Sequence, residues 1–436
     1  MLKAIVCGGG TGGHIYPALA IAEQLRADGA RVLYMGAGDS TEQKLAADAG
    51  FAFRGVECCG LHKRSPRLIA DLLHNYRGSR QARRIISEYG PKIVIGTGGY
   101  AEAPVIKAAQ GLGIPTVLHE QNAYPGLANR RLSRKAQAVC LTFAAAAPYF
   151  PHADRLHETG LPVRRQVLEA DREAAWEYFE IGPEEQGIPT LLITGGSLGA
   201  ASLNRAAAEA YPALLAAGVR VIHLCGRKNY REMKAAAPQH PRLILLPYLD
   251  EMQHALALAD LAVGRAGASF SAETLCLGLP TVLIPYPYAA NDHQRFNARA
   301  MAEGGASVVI EDDALNGDVL TRTVLELLND PERLQAMGES AKAMARYDAA
   351  RDIAAVAYGL LSHYKELSVM ESKLHFIGIG GIGMSAIAKI MLHQGFSVSG
   401  SDVVPCRLID ELIAAGAVVN FGHSPENIPA DCEAVV

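Results

Sequence analysis

The chain has 436 residues, which is enough for two to four domains at about 100–200 residues each. Half of the residues are hydrophobic and 20% are charged, as is typical of a globular protein with a sizeable core. The formal net charge of −4 gives no reason to expect nucleic acid as a partner, and no apolar stretch of about 18 residues predicts a transmembrane helix.

The first part of the chain repeats a short apolar run, a turn and an amphipathic helix. Helical patterns lie, for example, at Pro17–Arg26 and Arg77–Tyr89. Continuous apolar runs that alternate with helices predict a parallel sheet covered on both faces. The predicted strands are Lys3–Cys7, Arg31–Met35, Lys92–Ile95, Pro115–Leu118 and Ala138–Leu141.

The same rhythm restarts after Pro162 and predicts a second doubly wound α/β domain. Its predicted strands are Thr190–Thr194, Val219–Leu224, Leu243–Leu246, Leu261–Gly264, Thr281–Ile284 and Ala306–Ile310. Helices are predicted to close this part at Leu315–Leu328, Pro331–Ala345 and Ala349–Leu367. A third strand–turn–helix begins at Lys373, and the roughly 65 residues from there to Val436 are too few for a nucleotide-binding domain with a catalytic partner.

Three Gly-rich turns follow predicted strands. Gly8–His14 (GGGTGGH) and Gly195–Ala200 (GGSLGA) each lead into a helix, whose free N–H groups favour an anion such as a diphosphate. Gly96–Tyr100 (GTGGY) would place Tyr100 at the carboxyl edge of the first sheet, where open α/β sheets bind ligands. The alternative is that these segments are structural turns and that the tyrosine packs in a loop. Gly8–His14 is not a Walker A loop, because no Gly-Lys-Ser/Thr follows it.

Polar residues cluster in three further segments. In Arg265–Glu273 (RAGASFSAE), the carboxylate of Glu273 near a helix start is a candidate for ribose hydroxyls, or else a charge favoured by the helix dipole. In Asn291–Ala298 (NDHQRFNA), amides and imidazoles suit sugar hydroxyls, although a solvated helix start is the alternative. The segment His119–Asn122 (HEQN) follows a predicted strand and is weak evidence by itself.

Taken in order, these motifs resemble the MurG glycosyltransferase family. The matching segments, which span residues 1–368, are GGGTGGHIYPALAIA, GTGGY, HEQNAYPGLANR, GLPVR, TGGSLGA, RAGASFSAE and GLPTVLIPYPYAANDHQRFNA. The resemblance implies the GT-B fold, two Rossmann-like doubly wound domains around a cleft. It implies transfer of N-acetylglucosamine from UDP-GlcNAc to the 4-hydroxyl of undecaprenyl-diphospho-MurNAc-pentapeptide (lipid I), giving lipid II for peptidoglycan. We expect an acceptor- and membrane-facing domain at 1–162, a UDP-GlcNAc-binding domain at 163–345 and a closing helix at 346–368.

The resemblance also implies which residues act. His14 corresponds to the family's proposed activator of the acceptor, Glu120 competes with it as general base, and Tyr100 lies on the acceptor side. Leu249, in YLDEM, would read uracil through its backbone. The sequence departs from some relatives at Leu198 and His293, where those relatives have Gln. These departures do not affect the inferred function. The residues expected to bind the sugar nucleotide are Thr11, Gly12, Gly13, Asn122, Arg164, Ser197, Leu249, Ala268, Ser269, Phe270, Ser271, Ala272, Glu273 and Gln294.

No cofactor is expected. The sequence lacks the Asp-x-Asp pair with which many glycosyltransferases hold a divalent metal. We therefore expect the departing UDP to be stabilised by helix N-termini, Ser197 and Arg164, without a metal on the reacting diphosphate.

The eight cysteines form no CxxC pair, which favours reduced thiols in a cytosolic protein over disulfides or a zinc site.

A lipid acceptor requires the chain to reach the cytoplasmic surface of the inner membrane. Leu61–Arg84 is basic and amphipathic, as a peripheral anchor should be, although a cationic solvated helix is the alternative. We expect UDP-GlcNAc, lipid I and this membrane surface as partners, with other cell-wall enzymes as further candidates. The open alternatives are a GT-B transferase with another acceptor and a UDP-sugar-binding scaffold.

The segment 372–436 resembles the start of a second family. Gly378–Ser385 (GIGGIGMS), with Gly400–Asp402 (GSD) about 20 residues further on, resembles the N-terminal region of the MurC ligases. In that family this region binds the UDP-sugar, whereas the motif by itself would have suggested NAD. Because the ligase's ATP loop is missing, we expect a truncated Rossmann-like unit without ligase activity.

Overall fold

The computed structural model describes residues 1–38, 40–60, 68–371, 373–393, 396–429, 432 and 434–436. Contacts between residues divide the chain into two compact units, Met1–Ala357 and Tyr358–Val436. None of the helices in the described ranges combines the length and the hydropathy that a bilayer-spanning helix needs.

A seven-stranded parallel sheet forms the first lobe of the larger unit, in the order β3-β2-β1-β4-β5-β6-β7. The strands are β1 (Lys3–Cys7), β2 (Arg31–Ala37), β3 (Ala52–Val56), β4 (Ile93–Gly96), β5 (Thr116–Glu120), β6 (Ala138–Leu141) and β7 (Leu156–Glu158). The helices are α1 (Gly12–Ala27), α2 (Thr41–Asp48), α3 (Leu68–Tyr89), α4 (Glu102–Gly111) and α5 (Leu127–Leu132). Because β1 and β4 are buried on both faces, their sequences are apolar without alternation.

A six-stranded parallel sheet forms the second lobe, in the order β10-β9-β8-β11-β12-β13. The strands are β8 (Thr190–Thr194), β9 (Arg220–Leu224), β10 (Leu243–Leu246), β11 (Leu261–Gly264), β12 (Thr281–Leu283) and β13 (Ser307–Val309). The helices after β7 are α6 (Arg165–Leu168), α7 (Arg172–Tyr178), α8 (Ala201–Ala216), α9 (Tyr230–Ala236), α10 (Met252–Leu258), α11 (Ala268–Leu277), α12 (His293–Glu303), α13 (Gly317–Leu328), α14 (Pro331–Met344) and α15 (Ala349–Glu371).

Strand order reverses once in each sheet, between β1 and β4 in the first lobe and between β8 and β11 in the second. Such a reversal opens a crevice at the carboxyl ends of the strands, where α/β proteins bind ligands. All three predicted Gly-rich turns of the larger unit follow β1, β4 or β8. The predicted class, two doubly wound parallel sheets, is confirmed, and the sheets fix where a ligand site should lie.

The two lobes share a hydrophobic core. Ala123 and Phe143 of the first lobe are buried in one cluster with Leu275, Ala298 and Met301 of the second. Arg346, after α14, returns to the first lobe, where its guanidinium lies 2.8 Å from the carboxylate of Glu158 in β7. Buried apolar side chains and an ion pair therefore connect the two lobes.

Two strands of the first sheet were not predicted. β3 lies at one edge and is largely exposed, so its sequence AFRGV lacks a continuous apolar run. β7, with the sequence LHE, is short and lies at the opposite edge. An edge strand buries less of its surface than a central one, which weakens the apolar pattern from which strands are predicted.

The smaller unit contains a four-stranded parallel sheet in the order β16-β15-β14-β17. Its elements are β14 (Lys373–Ile377), α16 (Ile382–His393), β15 (Ser397–Asp402), α17 (Arg407–Ala414), β16 (Val418–Phe421) and β17 (Ala434–Val435). The carboxylate of Asp402 accepts a hydrogen bond from the Gly380 amide at 2.8 Å, and backbone amides lower its pKa. The predicted third parallel unit is thus present, with its Gly-rich turn held by the acidic residue that ends β15.

Candidate active site

The turn between β1 and α1 exposes backbone amides at the first switch point. Thr11 has extended backbone angles before α1, and its side chain makes no capping bond. Thr11 and Gly12 are exposed, and Gly13 is partly buried. The first amides of α1 are therefore available to an anion, because a helix leaves its first four N–H groups without internal partners.

His14, in the first turn of α1, is held by two oxygen atoms. Its Nδ1 lies 2.9 Å from the carbonyl oxygen of Thr97 and 3.1 Å from Oε1 of Gln121. Burial lowers the pKa of His14, nearby Glu120 acts in the opposite direction, and His293 of the second lobe lowers it further. The ring is thus neutral near pH 7, and it lies on the side of the first lobe that faces α12.

Gly98 allows this arrangement. Its φ is +93°, and a Cβ atom there would lie 2.8 Å from Nδ1 of His14. Both the backbone conformation and the close approach therefore require glycine. The neighbouring Tyr100 is 39% exposed, and burial of the rest of its ring raises its pKa. The predicted GTGGY turn thus meets the GGGTGGH turn at His14.

Glu120, at the end of β5, is 2% exposed and fully hydrogen bonded. Its Oε1 accepts from the Asn122 amide at 3.0 Å, and its Oε2 accepts from Asn129 Nδ2 at 2.8 Å and from the Gly126 amide at 3.0 Å. A carboxylate with both oxygens occupied in this way stabilises the turn after β5.

A buried asparagine of the second lobe joins this turn to the second lobe. Nδ2 of Asn297 donates to Oδ1 of Asn122 and to the carbonyl oxygen of Ala266, each at 3.1 Å, and its Oδ1 accepts from the Ala123 amide at 2.8 Å. The sequence-based grouping of Asn297 with sugar-binding amides was wrong, because its amide is fully buried between the lobes. Gln294, in the same helix, accepts from the Tyr286 amide at 3.0 Å and remains partly exposed.

The turn between β8 and α8 repeats the arrangement of the first lobe. Gly199 has φ +73°, and a Cβ atom there would lie 2.1 Å from the carbonyl oxygen of Cys225. Ser197 is exposed, and α8 begins at Ala201 without a side-chain cap. The second switch point therefore also presents free amides and a hydroxyl.

Arg164 and Glu273, predicted to contact different parts of a nucleotide, contact each other. Nη2 of Arg164 lies 2.9 Å from Oε1 of Glu273, whose side chain is 12% exposed. Burial raises the pKa of Glu273, and Arg164 offsets part of that effect. Because α11 starts at Ala268, Glu273 lies about one and a half turns inside it, so the alternative of a charge favoured by the dipole at the helix start does not hold. The contact of Glu273 with ribose stays a prediction.

The N-terminus of α11 lies at the same switch point. Gly267 precedes the helix without a side-chain cap, and Ala268, Ser269 and Phe270 are partly exposed. Ser271 and Ala272 are buried, and Ser271 Oγ has no hydrogen-bond partner among the described residues. The free amides of α11 and α8 therefore end at the same edge of the second sheet.

A cavity of about 530 Å³ adjoins Leu249, which is 8% exposed. The side chains that line it include Phe179, Ile244, Leu246 and Tyr248. The lining also includes Tyr178, Glu180, Asp250 and Glu251. Apolar and aromatic walls with a few polar groups suit a flat heterocyclic base.

Arg265, immediately after β11, organises the second switch point, and the sequence did not assign it a role. Its guanidinium contacts Asp312 at 2.6 Å and Ser202 Oγ, in the first turn of α8, at 2.7 Å. These partners lie 47 and 63 residues away in the chain, so no local pattern links them. The contacts fix the start of α8 relative to β11.

Two parallel sheets with Gly-rich turns at both switch points define the two-lobed GT-B fold, and matches to family models make the chain a glycosyltransferase of this class. Residues 4–141 match the glycosyltransferase family 28 N-terminal domain, and residues 190–353 match the C-terminal domain of that family. The crystal structure of CalG4, the calicheamicin glycosyltransferase, has the same fold, with a TM-score of 0.58 at 16% identity over 83% of this chain and 99% of that one.

More specific similarity comes from two curated relatives. One from Desulforamulus reducens, a UDP-N-acetylglucosamine–N-acetylmuramyl-(pentapeptide) pyrophosphoryl-undecaprenol N-acetylglucosamine transferase, is 41% identical over 363 residues, covering 81% of this chain and 97% of the relative. A transferase of the same name from Halothermothrix orenii is 40% identical over 356 residues, covering 79% and 95%. The crystal structure of Acinetobacter baumannii MurG gives a TM-score of 0.68 at 29% identity, covering 82% of this chain and 100% of that one. The chain belongs to this MurG family of N-acetylglucosamine transferases.

Residues 373–436 match a different family, the Mur ligase family, catalytic domain. The resemblance of this segment to Mur ligases is thus shown at the level of the family. The description of the segment as a ligase N-terminal domain is not supported, because the match is to the catalytic domain.

Proposed function

We propose that the enzyme transfers N-acetylglucosamine from UDP-GlcNAc to the 4-hydroxyl of MurNAc in lipid I, releasing UDP and forming lipid II for peptidoglycan. The observation that carries this proposal is a neutral imidazole, His14, held at the first switch point opposite a second switch point rich in free amides. The names of the two curated relatives, which are N-acetylglucosamine transferases acting on an undecaprenol-linked N-acetylmuramyl-(pentapeptide), support these substrates.

The donor is proposed to bind the second lobe. The cavity beside Leu249 would take the uracil, and Glu273 with Arg164 would contact ribose and phosphate. The free amides of α8 and α11, together with Ser197, would take the diphosphate. Aligned amides stabilise the negative charge that develops on the β-phosphate as UDP leaves. The amides of α8 and α11 would therefore promote the departure of UDP. That no metal coordinates the diphosphate stays a prediction.

The chemistry proposed is a single inverting displacement. Nε2 of His14 accepts the proton of the 4-hydroxyl of MurNAc. The oxygen of that hydroxyl forms a bond to the anomeric carbon of N-acetylglucosamine at the same time. The bond from that carbon to the β-phosphate oxygen breaks, and its electron pair leaves with UDP. A neutral ring is the form that can accept a proton, and a lowered pKa keeps it neutral.

The contacts of Glu120 favour His14 over Glu120 as the base. Both carboxylate oxygens of Glu120 accept hydrogen bonds within the turn after β5. A proton could reach this carboxylate only at the expense of those bonds. Tyr100, exposed beside His14, is proposed to line the acceptor side.

Attachment to the cytoplasmic membrane surface is proposed through α3. Arg77, Arg80, Arg83 and Arg84 are exposed along this helix, and the exposed Leu73 and Tyr76 lie nearer its start. Exposed cations beside apolar side chains suit an anionic lipid surface. Residues 61–67, the first part of the predicted basic segment Leu61–Arg84, include Arg64 and Arg67 and lie outside the described part of the chain.

Release of UDP from UDP-GlcNAc, measured with and without a lipid I analogue, tests the function. We expect release only with the analogue, together with a product heavier by one N-acetylhexosamine. Release with a different acceptor would identify another GT-B transferase, and binding without release would identify a UDP-sugar-binding scaffold.

A role for residues 373–436 in contacting other cell-wall enzymes, without ligase activity, is proposed from the family match alone.

A further inference from the structure

A run of side-chain hydrogen bonds extends behind His14 into the first lobe. Nε2 of His119 lies 2.8 Å from the carbonyl oxygen of Gly160, and its Nδ1 lies 3.0 Å from Nε2 of Gln121. Oε1 of Gln121 in turn lies 3.1 Å from Nδ1 of His14. The run therefore connects the turn after β7 to the proposed base.

The bond between His119 and Gly160 determines which atom donates in every other hydrogen bond of this run. A carbonyl oxygen only accepts, so Nε2 of His119 must carry the proton that it shares with Gly160. His119 is fully buried, and burial lowers its pKa to about 4. Near pH 7 the ring is thus neutral, and its Nδ1 is an acceptor.

This acceptor sets the orientation of the Gln121 amide. The amide nitrogen must face His119, and it also donates to the carbonyl oxygen of Thr97. The amide oxygen then faces His14. Gln121 is 1% exposed, so water does not compete for either end.

The tautomer of His14 is then determined. Its Nδ1 faces only acceptors, the amide oxygen of Gln121 and the carbonyl oxygen of Thr97, so Nδ1 carries the proton. A neutral ring has one proton, which leaves Nε2 with a free lone pair. Among the described residues the hydrogen bonds of the His14 ring are all made through Nδ1, and the ionisable groups that act on the ring are Glu120 and His293.

We propose that His119 and Gln121 are positioning residues that hold His14 in the Nδ1–H tautomer and present Nε2 to the acceptor hydroxyl. The inference rests on the proposed role of His14 as the base. The proposal gives His119 and Gln121, two buried residues of the HEQN segment, the role of orienting His14. This role differs from contact with substrate and from packing in the core. Neither residue touches the reacting atoms in this proposal.

Nuclear magnetic resonance of the full chain labelled with ¹⁵N in its histidine rings tests the tautomer directly. The resonances of His14 are identified by their absence from the His14→Asn variant. We expect the Nδ1–H form in the wild type. In Gln121→Met the carbonyl oxygen of Thr97 remains beside Nδ1, so we expect the Nδ1–H form to persist together with a detectable share of the other tautomer. An Nε2–H ring in the wild type would overturn the proposal.

The pH dependence of turnover gives a second readout. In Gln121→Glu a carboxylate replaces the amide oxygen beside Nδ1 and favours the imidazolium, so the acid limb of the profile should move up by about one pH unit. His223→Gln is the matched control, because His223 is a buried neutral histidine of the second lobe that bonds Tyr211 and Asn204 and should leave the limb in place.

The outcomes separate this inference from the proposed function. An active His14→Ala variant would remove His14 as the base, whatever tautomer the spectra report. An inactive His14→Ala variant with an unchanged tautomer and acid limb in both Gln121 variants would refute the positioning role alone. If Gln121→Glu fails to fold, the spectrum of Gln121→Met still decides the tautomer.

Discussion

Asn297 of the second lobe donates a hydrogen bond to Oδ1 of Asn122 in the first lobe across 3.1 Å. The same amide accepts from the Ala123 backbone and donates to the Ala266 carbonyl oxygen, so its three bonds join the turn after β5 to the turn after β11. Both turns border the proposed site. The relative position of these two turns thus depends on one buried side chain.

Asn297→Ala should therefore destabilise the larger unit and misplace the site. The change leaves the buried Ala123 amide without a partner, and an unsatisfied buried group costs about 1–3 kcal/mol. Urea unfolding should show a loss of about 2–4 kcal/mol once the cavity is included. Gln335→Ala, which removes an exposed amide on α14 that donates a hydrogen bond to Glu339, should change stability by less than about 0.5 kcal/mol. Equal stability of Asn297→Ala and the wild type would contradict the bridging role.

His14→Ala should lower turnover strongly and leave donor binding intact. Loss of a general base typically costs about 10²–10⁴-fold in rate, and the donor is proposed to bind through the opposite lobe. Turnover with a lipid I analogue and calorimetric titration with UDP-GlcNAc measure the two effects. Turnover within about twofold of the wild type would remove His14 from the role.

The sequence predicted the parts of this enzyme that depend on local pattern. Central strands such as β1 and β8 are continuous apolar runs, and Gly-rich turns follow them directly. Carboxyl ends of parallel strands meet at one edge, so the Gly8–His14 and Gly96–Tyr100 turns could be expected to lie together.

Contacts between distant residues could not be predicted in this way. Arg164 and Glu273 are 109 residues apart, and Asn297 lies 175 residues from Asn122. Each of these polar residues looks like a ligand contact when only its own segment is considered. Which of them face substrate, and which satisfy one another, is decided by how the two sheets pack.

Replacement of Arg164, which pairs with Glu273, should weaken binding of the phosphate part of the nucleotide selectively. Arg164→Ala should weaken UDP binding about tenfold and uridine binding much less, because a hydrogen bond to a charged group contributes about 1.5–3 kcal/mol. The change also leaves the Glu273 carboxylate buried without its cation. The double variant with Glu273→Gln should recover stability without recovering UDP affinity. Calorimetry with UDP and uridine, together with urea unfolding, distinguishes these effects, and equal weakening of both ligands would contradict the phosphate role.

Glu102, buried beneath the Gly96–Tyr100 turn, should make stability depend on pH. Burial raises its pKa to about 8, whereas an unfolded glutamate titrates near about 4.3. Between these values the folded chain binds more protons, so this group lowers stability as pH rises from about 4.3 to about 8. Glu102→Gln should match the wild type near pH 4.5 and exceed it by about 2–4 kcal/mol at pH 8.5. The exposed Glu326→Gln should show no such trend, and a difference that is constant with pH would refute the assignment.

Charge reversal on α3 should weaken membrane attachment without affecting the chemistry. The variant Arg77→Glu/Arg80→Glu replaces two exposed cations near Tyr76 and Leu73, and each cation near an anionic surface contributes about 1 kcal/mol. Sedimentation with vesicles of anionic phospholipid should show at least a tenfold loss of binding, reduced further by added salt. Turnover with a water-soluble lipid I analogue should be unchanged. Arg322→Glu/Arg333→Glu, on exposed positions of α13 and α14, is the control with the same change in net charge. If this control loses vesicle binding as strongly, attachment depends on net charge and α3 is not the anchoring surface.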